Sequence, residues 1–150
     1  MLPPKSSSPN QRSDPYMVYN FFVEIRGLIV AGFSEVSGLS SQIELESYNE
    51  GGVTGFVHQF PKQVTYPNLV FTRGFVDIEL WEWYHMTAQG NIQRKSGSII
   101  LHDSQQNPVK IFNFKEAYPV AWEGPQLNAG SETEVAVERL ELVHQGIEIQ

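Results

Sequence analysis

The sequence predicts a mainly β fold, an antiparallel β-barrel or β-sandwich with one flanking α-helix. Three observations lead to this prediction. Seven or eight short segments alternate apolar and polar residues or run apolar, with many β-branched and aromatic side chains, as strands do. Glycine and proline residues separate many of these segments and indicate turns between them. One segment alone has the apolar spacing of an amphipathic helix.

The composition is that of a single folded domain. The chain has 150 residues, of which 41% are hydrophobic and 12% aromatic, enough to build a sizeable core. It has no cysteine, which excludes disulfides, thiol nucleophiles and cysteine-ligated metals. The 17 acidic and 10 basic residues give a net charge of −7, which argues against specific nucleic-acid binding and docking on anionic lipid. No apolar run approaches the length of a membrane helix, so we expect no membrane anchoring.

An extended N-terminal arm is predicted over residues 1–15, which read MLPPKSSSPNQRSDP, ahead of a single domain over residues 16–150. Four prolines in the arm forbid a regular helix, and its serines supply no core contacts. Two interpretations stay open at this point. The arm either makes no contacts or orders on a neighbouring molecule.

The first half of the domain predicts three strands and a long connection. The strands lie over residues 19–26, 28–36 and 41–48. In the third strand Ile43 and Leu45 share one face and the glutamates share the other, so we expect one buried face and one wet, mostly acidic face. Residues 49–68 lack a strong period, and a connection of this length is usually functional or ordered by a partner.

The second half predicts one helix among further strands. A short strand over residues 69–73 precedes a helix over 77–89, which Asp77 can cap and Gly90 can close. Its aromatic stripe is expected to face the core. After the helix we predict strands over 98–102 and 109–117, joined by a polar turn at 103–108, and then an irregular segment over 118–129. The last predicted strand covers 134–143, and its apolar residues change from one face to the other near Glu138.

The sequence contains few residues in patterns typical of a catalytic site. Its four histidines are not spaced as pairs of metal ligands: His58, His85, His102 and His144. Asp103 and Ser104 adjoin one of them, but three neighbours at a strand end cannot orient one another as a catalytic triad does. Glu44 and Glu46 alternate along a strand, as residues of a solvated face would. We therefore predict no catalytic residue, no metal site and no cofactor.

An ordered set of motifs resembles a known family. The motifs are residues 19–25 (YNFFVEI), 31–39 (AGFSEVSGL), 48–52 (YNEGG), 66–69 (YPNL), 73–74 (RG), 81–83 (WEW), 90–94 (GNIQR), 117–119 (AYP), 122–125 (WEGP), 127–129 (LNA) and 137–138 (VE), then His144 and Gly146. In this order and spacing they resemble the tail tube proteins of contractile phages, especially the inner-tube proteins of extracellular contractile injection systems. The resemblance covers about residues 15–147. One departure is Asn49, where the family usually has arginine.

The resemblance implies a structural, non-enzymatic, tail-tube-like protein. Six copies would form a ring whose strands join into one barrel around a lumen. The rings would stack on themselves or on tube paralogues, inside a contractile sheath and on spike and baseplate proteins. Contraction of the sheath would then drive the tube and its cargo through a target envelope. Such particles assemble in the cytoplasm as phage tails, or as phage-tail-like particles that act outside the cell.

The resemblance also implies which residues make contacts between copies. In the family an extended hairpin and loop bridge neighbouring subunits and rings, which corresponds here to residues 42–66. The contact residues it implies are Glu50, Gly51, Gly52, Phe56, Phe60 and Tyr66. Glu44 and Glu46 are candidates for facing the lumen. The arm and residues 56–62 look like those of a paralogue that forms the first rings at the baseplate.

Two other functions remain as alternatives. The first is a monomeric lipocalin-like β-barrel that binds an apolar ligand, and the second is a hydrolase that uses paired carboxylates. The acidic alternation at Glu44 and Glu46 argues against the first, because such a barrel needs apolar residues facing inward. The carboxylates lie on faces typical of solvated strands, which argues against the second.

Overall fold

A computed structural model describes residues 20–26, 28–30, 33–48, 58–73, 78–130 and 137–150. The described residues form ten strands and one helix, which confirms the mainly β prediction. In chain order these are β1 (Asn20–Ile25), β2 (Leu28–Val30), β3 (Glu35–Ser37), β4 (Gln42–Tyr48), β5 (His58–Thr65), β6 (Leu69–Arg73), α1 (Ile78–Ala88), β7 (Lys95–His102), β8 (Pro108–Glu123), β9 (Glu138–Val143) and β10 (Ile147–Ile149). The arm over residues 1–15 lies outside the described residues and stays a prediction.

All strand pairs are antiparallel, and they form two separate sheets. The larger sheet has eight strands in the order β2-β1-β7-β8-β9-β6-β3, with β10 added on β8. The smaller sheet is the pair β4-β5. Among the described strands β2 and β3 end the larger sheet without pairing with each other, so this sheet does not close into a barrel. Its two halves instead pack face to face as layers.

A single strand, β8, belongs to both layers. It is 16 residues long, and its first part pairs with β7 while its last part pairs with β9. Between these parts the register jumps from Gly97↔Phe114 to Lys95↔Ala117, so one residue of β7 faces two of β8. Glu116, inside this bulge, has a φ of 50°. Because a bulge bends its strand and increases the twist, β8 can leave one layer and enter the other.

The bulge explains one error of the sequence prediction. Residues 118–129 are expected to be irregular because of their prolines, but β8 continues as a strand to Glu123. Pro119 lies opposite Leu142, and the register shifts again between Pro119 and Ala121. A proline is tolerated beside such an irregularity because the ladder is already interrupted there.

The predicted strand over residues 28–36 is divided between the two layers. Its first part is β2, which pairs with β1, and its last part leads into β3, which pairs with β6. Ser34 N donates to Thr72 O at 2.8 Å and so starts the second pairing. Phe33 is buried against Phe71, with ring centroids 5.1 Å apart. The buried Phe33 ring therefore fixes the backbone near the point where the chain enters the second layer.

The helix and the last strands contribute to the core, but the stripe predicted to face the core is only partly buried, since Ile78 is 66% exposed. Leu80 and Trp83 of α1 are buried, and Trp83 Nε1 donates to Gln93 O at 2.8 Å. The helix ends in a Schellman motif, in which Gly90 N donates to Thr87 O and the next amide donates to Met86 O, both at 3.0 Å. The buried apolar residues are Val23, Ile25, Phe33, Leu69, Phe71, Leu80, Trp83, Ile99, Phe114, Ala117, Leu140 and Leu142.

Gly97 allows the two layers to pack where β8 bends. A Cβ at this position would lie 2.4 Å from Phe114 Cζ and 2.5 Å from Glu24 O. We therefore expect Gly97→Ala to lower the free energy of unfolding by about 1–3 kcal/mol, the usual cost of overpacking a core. The measurement is the urea midpoint. Gln105→Ala, at an exposed turn, is the control, and an equal midpoint for both variants would contradict the packing role.

Candidate functional site

The hairpin of β4 and β5 stands apart from the rest of the fold. It pairs with no strand of the eight-stranded sheet, and all 15 residues of its two strands are exposed. An isolated two-stranded hairpin is at best marginally stable in water. A partner that covers the hairpin would therefore stabilise it.

The hairpin register includes a bulge that sorts its side chains onto two faces. Ile43 pairs with Val64, and Leu45 pairs with Pro61. Between these pairs Glu44 alone faces two residues of β5. One of them is Gln63, whose Nε2 donates to Glu44 Oε2 at 3.0 Å. Because residues that pair across strands share a face, the register defines one apolar face and one polar face.

The apolar face is exposed in the single chain. Ile43 is 55% exposed, Leu45 53% and Val64 49%, and Pro61 lies beside them. The prediction that Ile43 and Leu45 form a buried face is therefore wrong for one copy of the chain. The alternation is correct, but the structure places no described segment of the same chain over this face. We call Ile43, Leu45, Pro61 and Val64 the apolar strip.

The opposite face is acidic near its middle and aromatic near the end of the hairpin. Glu44 and Glu46 lie on it, and Glu46 pairs with Phe60, which is 54% exposed. Tyr48 pairs with His58, and the His58 ring stacks on Phe60 with centroids 6.4 Å apart. This face carries two carboxylates and presents its aromatic rings to solvent.

The base of the hairpin is held firmly to the sandwich. His144 is buried, its Nε2 lies 3.0 Å from Pro67 O, and Gly146 N donates to its Nδ1 at 3.2 Å. These two contacts fit a neutral ring with its proton on Nε2. Tyr66 lies over the same ring, with centroids 5.5 Å apart. The chain therefore leaves β5 in a fixed direction, which sets where the hairpin points.

A close backbone approach fixes the other strand of the hairpin. Gly38, just before β4, has a φ of 94°, and a Cβ there would lie 2.1 Å from Asn68 O. Asn68 is itself held, because its Nδ2 donates to Glu141 Oε1 at 2.9 Å. Only glycine fits this position, so both strands of the hairpin start from anchored points.

The predicted contact residues fall into three groups. Four of them, Glu50, Gly51, Gly52 and Phe56, lie outside the described residues. Phe60 shares the polar face with Glu44 and Glu46, whereas Tyr66 lies at the base of the hairpin against His144. Their roles stay predictions.

Sequence reasoning missed the apolar strip as a surface. Residues 49–68 are predicted as one irregular connection, which is wrong over β5. The signal is weak because the bulge and Pro61 break the alternation of β5. The pairing of Val64 with Ile43 completes the strip and is visible only in the register.

The described residues contain no cluster of side chains typical of a metal site. Among them no group of three or more His, Asp or Glu side chains is placed to hold a metal ion. His102 Nδ1 is buried without a hydrogen-bond partner, but its ring packs edge to face on Phe22 with centroids 4.9 Å apart. In the same part of the chain, no helix is long and apolar enough to cross a membrane.

Comparisons with known proteins point to one family. The family model described as T4-like virus tail tube protein gp19 matches residues 18–148 of the chain. No curated protein sequence matches the chain.

Solved structures share the fold over most of the chain. A chain in the cryo-EM structure of the anti-feeding prophage (AFP) baseplate is 26% identical with a TM-score of 0.80, over 92% of this chain and 97% of that one. A chain in the sheath–tube complex of the extracellular contractile injection system PVC is 23% identical with a TM-score of 0.81, over 93% of both chains. A chain in the AFP tube-terminating cap is 23% identical with a TM-score of 0.83, over 98% of both.

The exposure of the apolar strip can be tested by its effect on stability. We expect Leu45→Ser to change the free energy of unfolding by no more than about 0.5 kcal/mol, because the side chain is already in contact with water. Leu142→Ala removes a fully buried side chain and should cost about 2–5 kcal/mol. Urea unfolding at a concentration where the chain is monomeric compares the two variants. A loss of several kcal/mol for Leu45→Ser would mean that the chain covers the strip itself.

Proposed function

Because the chain belongs to the T4-like virus tail tube protein family, we propose that it is a structural subunit of the inner tube of a contractile injection system or contractile phage tail. In this proposal six copies form a ring, and rings stack around a lumen through which cargo is delivered. The likeness to a chain of the AFP baseplate, whose structure is six-fold symmetrised, supports the number six. The role is structural and involves no catalysis.

The apolar strip carries this proposal. Its side chains are about half exposed in a single chain, on a hairpin that extends away from the core. Moving apolar surface out of water contributes roughly 25 cal/mol for each Å², so a neighbouring copy that covers the strip gains stability. The contacts implied for residues 50–56 would extend this interface beyond the strands.

The acidic face of the hairpin fits a lumen wall. If the apolar strip lies on a neighbour, Glu44 and Glu46 point away from that contact, since they occupy the opposite face. Six copies would carry a net charge of −42, six times −7. An acidic wall repels nucleic acid and acidic cargo and limits adhesion to the lumen.

We place the subunit in the first rings at the baseplate, next to the spike. The proline-rich arm over residues 1–15 and the segment over 56–62 resemble those of a baseplate-proximal paralogue, which is the observation behind this position. Its further partners would be tube paralogues, the surrounding sheath and the cargo. The particle would assemble in the cytoplasm.

The lipocalin-like alternative has no support in the fold. The described strands of the large sheet do not close, and aromatic and aliphatic side chains fill the space between its layers. A ligand-binding barrel needs a closed sheet with an open interior. The carboxylate hydrolase gains no support from Glu44 and Glu46, because both lie on a strand whose residues are all exposed to solvent.

The mass of the assembly in solution tests the proposal directly. We expect a species of about 102 kDa, six times 17.0 kDa, and rings with an open lumen in negative-stain electron microscopy. Rings that do not stack alone would support the position at the baseplate. A chain that stays at 17.0 kDa even when spike and baseplate proteins are added would overturn the proposal.

Two charge substitutions test whether the apolar strip or the polar face makes the contact between copies. Leu45→Asp puts a charge into the proposed contact and should shift the mass to that of the monomer, because an unpaired charge is costly to bury. Gln42→Asp adds the same charge to the same strand on the other face and should leave ring formation unchanged. Mass photometry compares them. Equal behaviour of the two variants would remove the strip from the interface.

A different prediction follows if Glu44 and Glu46 face the lumen. Glu44→Gln with Glu46→Gln should leave rings intact, because the two side chains would contact no neighbour. The assembled rings should then retain more of an anionic dextran probe, since the wall has lost 12 charges in six copies. Electron microscopy and probe retention are the measurements. Loss of the rings would place the carboxylates at a contact between copies.

A further inference from the structure

A cleft lined only by polar and charged residues lies where β8 bends between the two layers. It has a volume of about 370 Å³ and is lined by Arg26, Arg94, Lys95, Ser96 and Glu116. Arg26 directly follows β1, and Arg94 directly precedes β7. Glu116 lies in the bulge of β8. Three strands therefore contribute to this cavity, which we call the cationic cleft.

The cationic cleft has an excess of positive charge. Three of its lining residues are cations and one is a carboxylate, in a chain whose net charge is −7. None of the three cations forms an ion pair with a described side chain, and neither does Glu116. Cations that line one cavity repel each other, so a bound anion would remove an unfavourable interaction.

Aromatic rings hold two of the cations in place. Arg94 Cζ lies 5.7 Å from the centroid of the Tyr118 ring. Lys95 Nζ lies 6.0 Å from the centroid of the Trp83 ring, which is itself buried in the core. Trp83 also donates to Gln93 O, in the residue just before Arg94. Because these cations are already positioned, they would lose less entropy on binding a ligand than cations on an open surface.

Ser96 adds a neutral donor to the cationic cleft. Its carbonyl oxygen accepts from Arg26 N at 3.0 Å, and its Oγ accepts from Glu116 N at 3.3 Å. The hydroxyl proton of Ser96 has no acceptor among the described residues, so it can be donated to a ligand. Arginine and lysine side chains only donate hydrogen bonds. The cleft therefore offers many donors and one carboxylate.

This set of donors fits a phosphate group. Guanidinium groups donate paired hydrogen bonds to phosphate oxygens, and an ammonium group adds a point charge. A phosphate monoester carries a charge of about −1.5 to −2 at neutral pH, which balances three cations less one carboxylate. A carboxylate ligand has fewer oxygens and a single charge, so it would leave donors unused. We propose that the cationic cleft binds a phosphate group, either as inorganic phosphate or as part of a phosphate ester.

A neighbouring cavity provides room for the organic part of an ester. It has a volume of about 540 Å³ and shares Arg26, Ser96 and Glu116 with the cationic cleft. Its other lining residues include Ser98 and Asn113, where Ser98 Oγ donates to Asn113 Oδ1 at 2.6 Å. This bond leaves the amide hydrogens of Asn113 available, so a hydroxylated ester would find donors there.

A bound phosphate would stabilise the bend of β8. It would contact residues next to β1, at the start of β7 and in the β8 bulge at the same time. A ligand that binds only the folded chain raises the free energy of unfolding. This inference goes beyond the proposed function, because a single chain contains the whole cleft.

Isothermal titration calorimetry of the full chain tests the proposal, with potassium chloride keeping the ionic strength constant. With inorganic phosphate as the probe we expect one saturable site per chain and a dissociation constant below about 1 mM. Glycerol phosphate is the second probe. Tighter binding of glycerol phosphate would assign the site to a hydroxylated ester, and equal or weaker binding would assign it to phosphate itself. A dissociation constant above about 1 mM for both probes would overturn the proposal.

Single substitutions test which cations bind the probe. Arg26→Gln and Arg94→Gln should each weaken phosphate binding about tenfold, because each removes charge-assisted hydrogen bonds. Lys110→Gln is the matched control. It removes the same charge from an exposed cation that also lies over a ring, Phe112 at 5.5 Å, but outside the cleft. Its effect should stay within about twofold, and a loss equal to that of Arg94→Gln would overturn the proposal.

Two further variants separate hydrogen bonding from charge. Arg94→Lys keeps the charge but loses the paired donors, so binding should weaken about threefold. Glu116→Gln removes the only carboxylate of the cleft and should strengthen binding about threefold. Weaker binding by Glu116→Gln would contradict the assignment of an anion to this cleft.

Urea unfolding without phosphate checks that the variants fold. The midpoints of Arg26→Gln and Arg94→Gln should not fall, because both side chains are exposed. Ring formation is measured separately, by mass. Phosphate binding by a chain that forms no rings would contradict the proposed function alone, and rings without phosphate binding would contradict this inference alone.

Discussion

The bulge in β8 is the constraint on which the sandwich depends. One strand serves both layers, and it can do so only because one residue of β7 faces two residues of β8 around Glu116. Gly97 makes room there for the Phe114 ring and for the backbone of β1. With this bend in place, β9 and β6 continue the sheet on the far side of the core. The helix can then pack its buried Leu80 and Trp83 into that core.

The same bend limits what the sequence can predict. Strands β1 and β6 are close to their predicted positions, and so is α1, because local spacing and the Gly90 cap define them. The continuation of β8 through Pro119 is not predictable in this way, since proline usually indicates an interruption. The division of residues 28–36 between two layers depends on partners that are distant in sequence. A local pattern contains no information about such partners.

The hairpin shows a different limit of prediction from sequence. The alternation of Ile43 and Leu45 with Glu44 and Glu46 is correctly read, yet its usual meaning, a face buried in the same chain, does not hold. Alternation shows that one face avoids water and leaves open which molecule covers it. Membership of the tail tube family supplies the missing context, because a subunit of a polymer can complete its apolar contacts only in the assembly. In the proposed ring the hairpin would belong to the interface as much as to the domain.

If the chain assembles as proposed, the register of the hairpin, with its bulge at Glu44, would determine which surface a subunit offers to the next copy. A slip of one residue would turn the side chains of β5 to the other face, so that Val64 would leave the strip and a polar neighbour would take its place. Such a chain would offer a mismatched surface and would dissociate before the next copy arrived. Correct pairing in one small hairpin would thus act as proofreading, and faulty subunits would be rejected at the growing end without any dedicated factor.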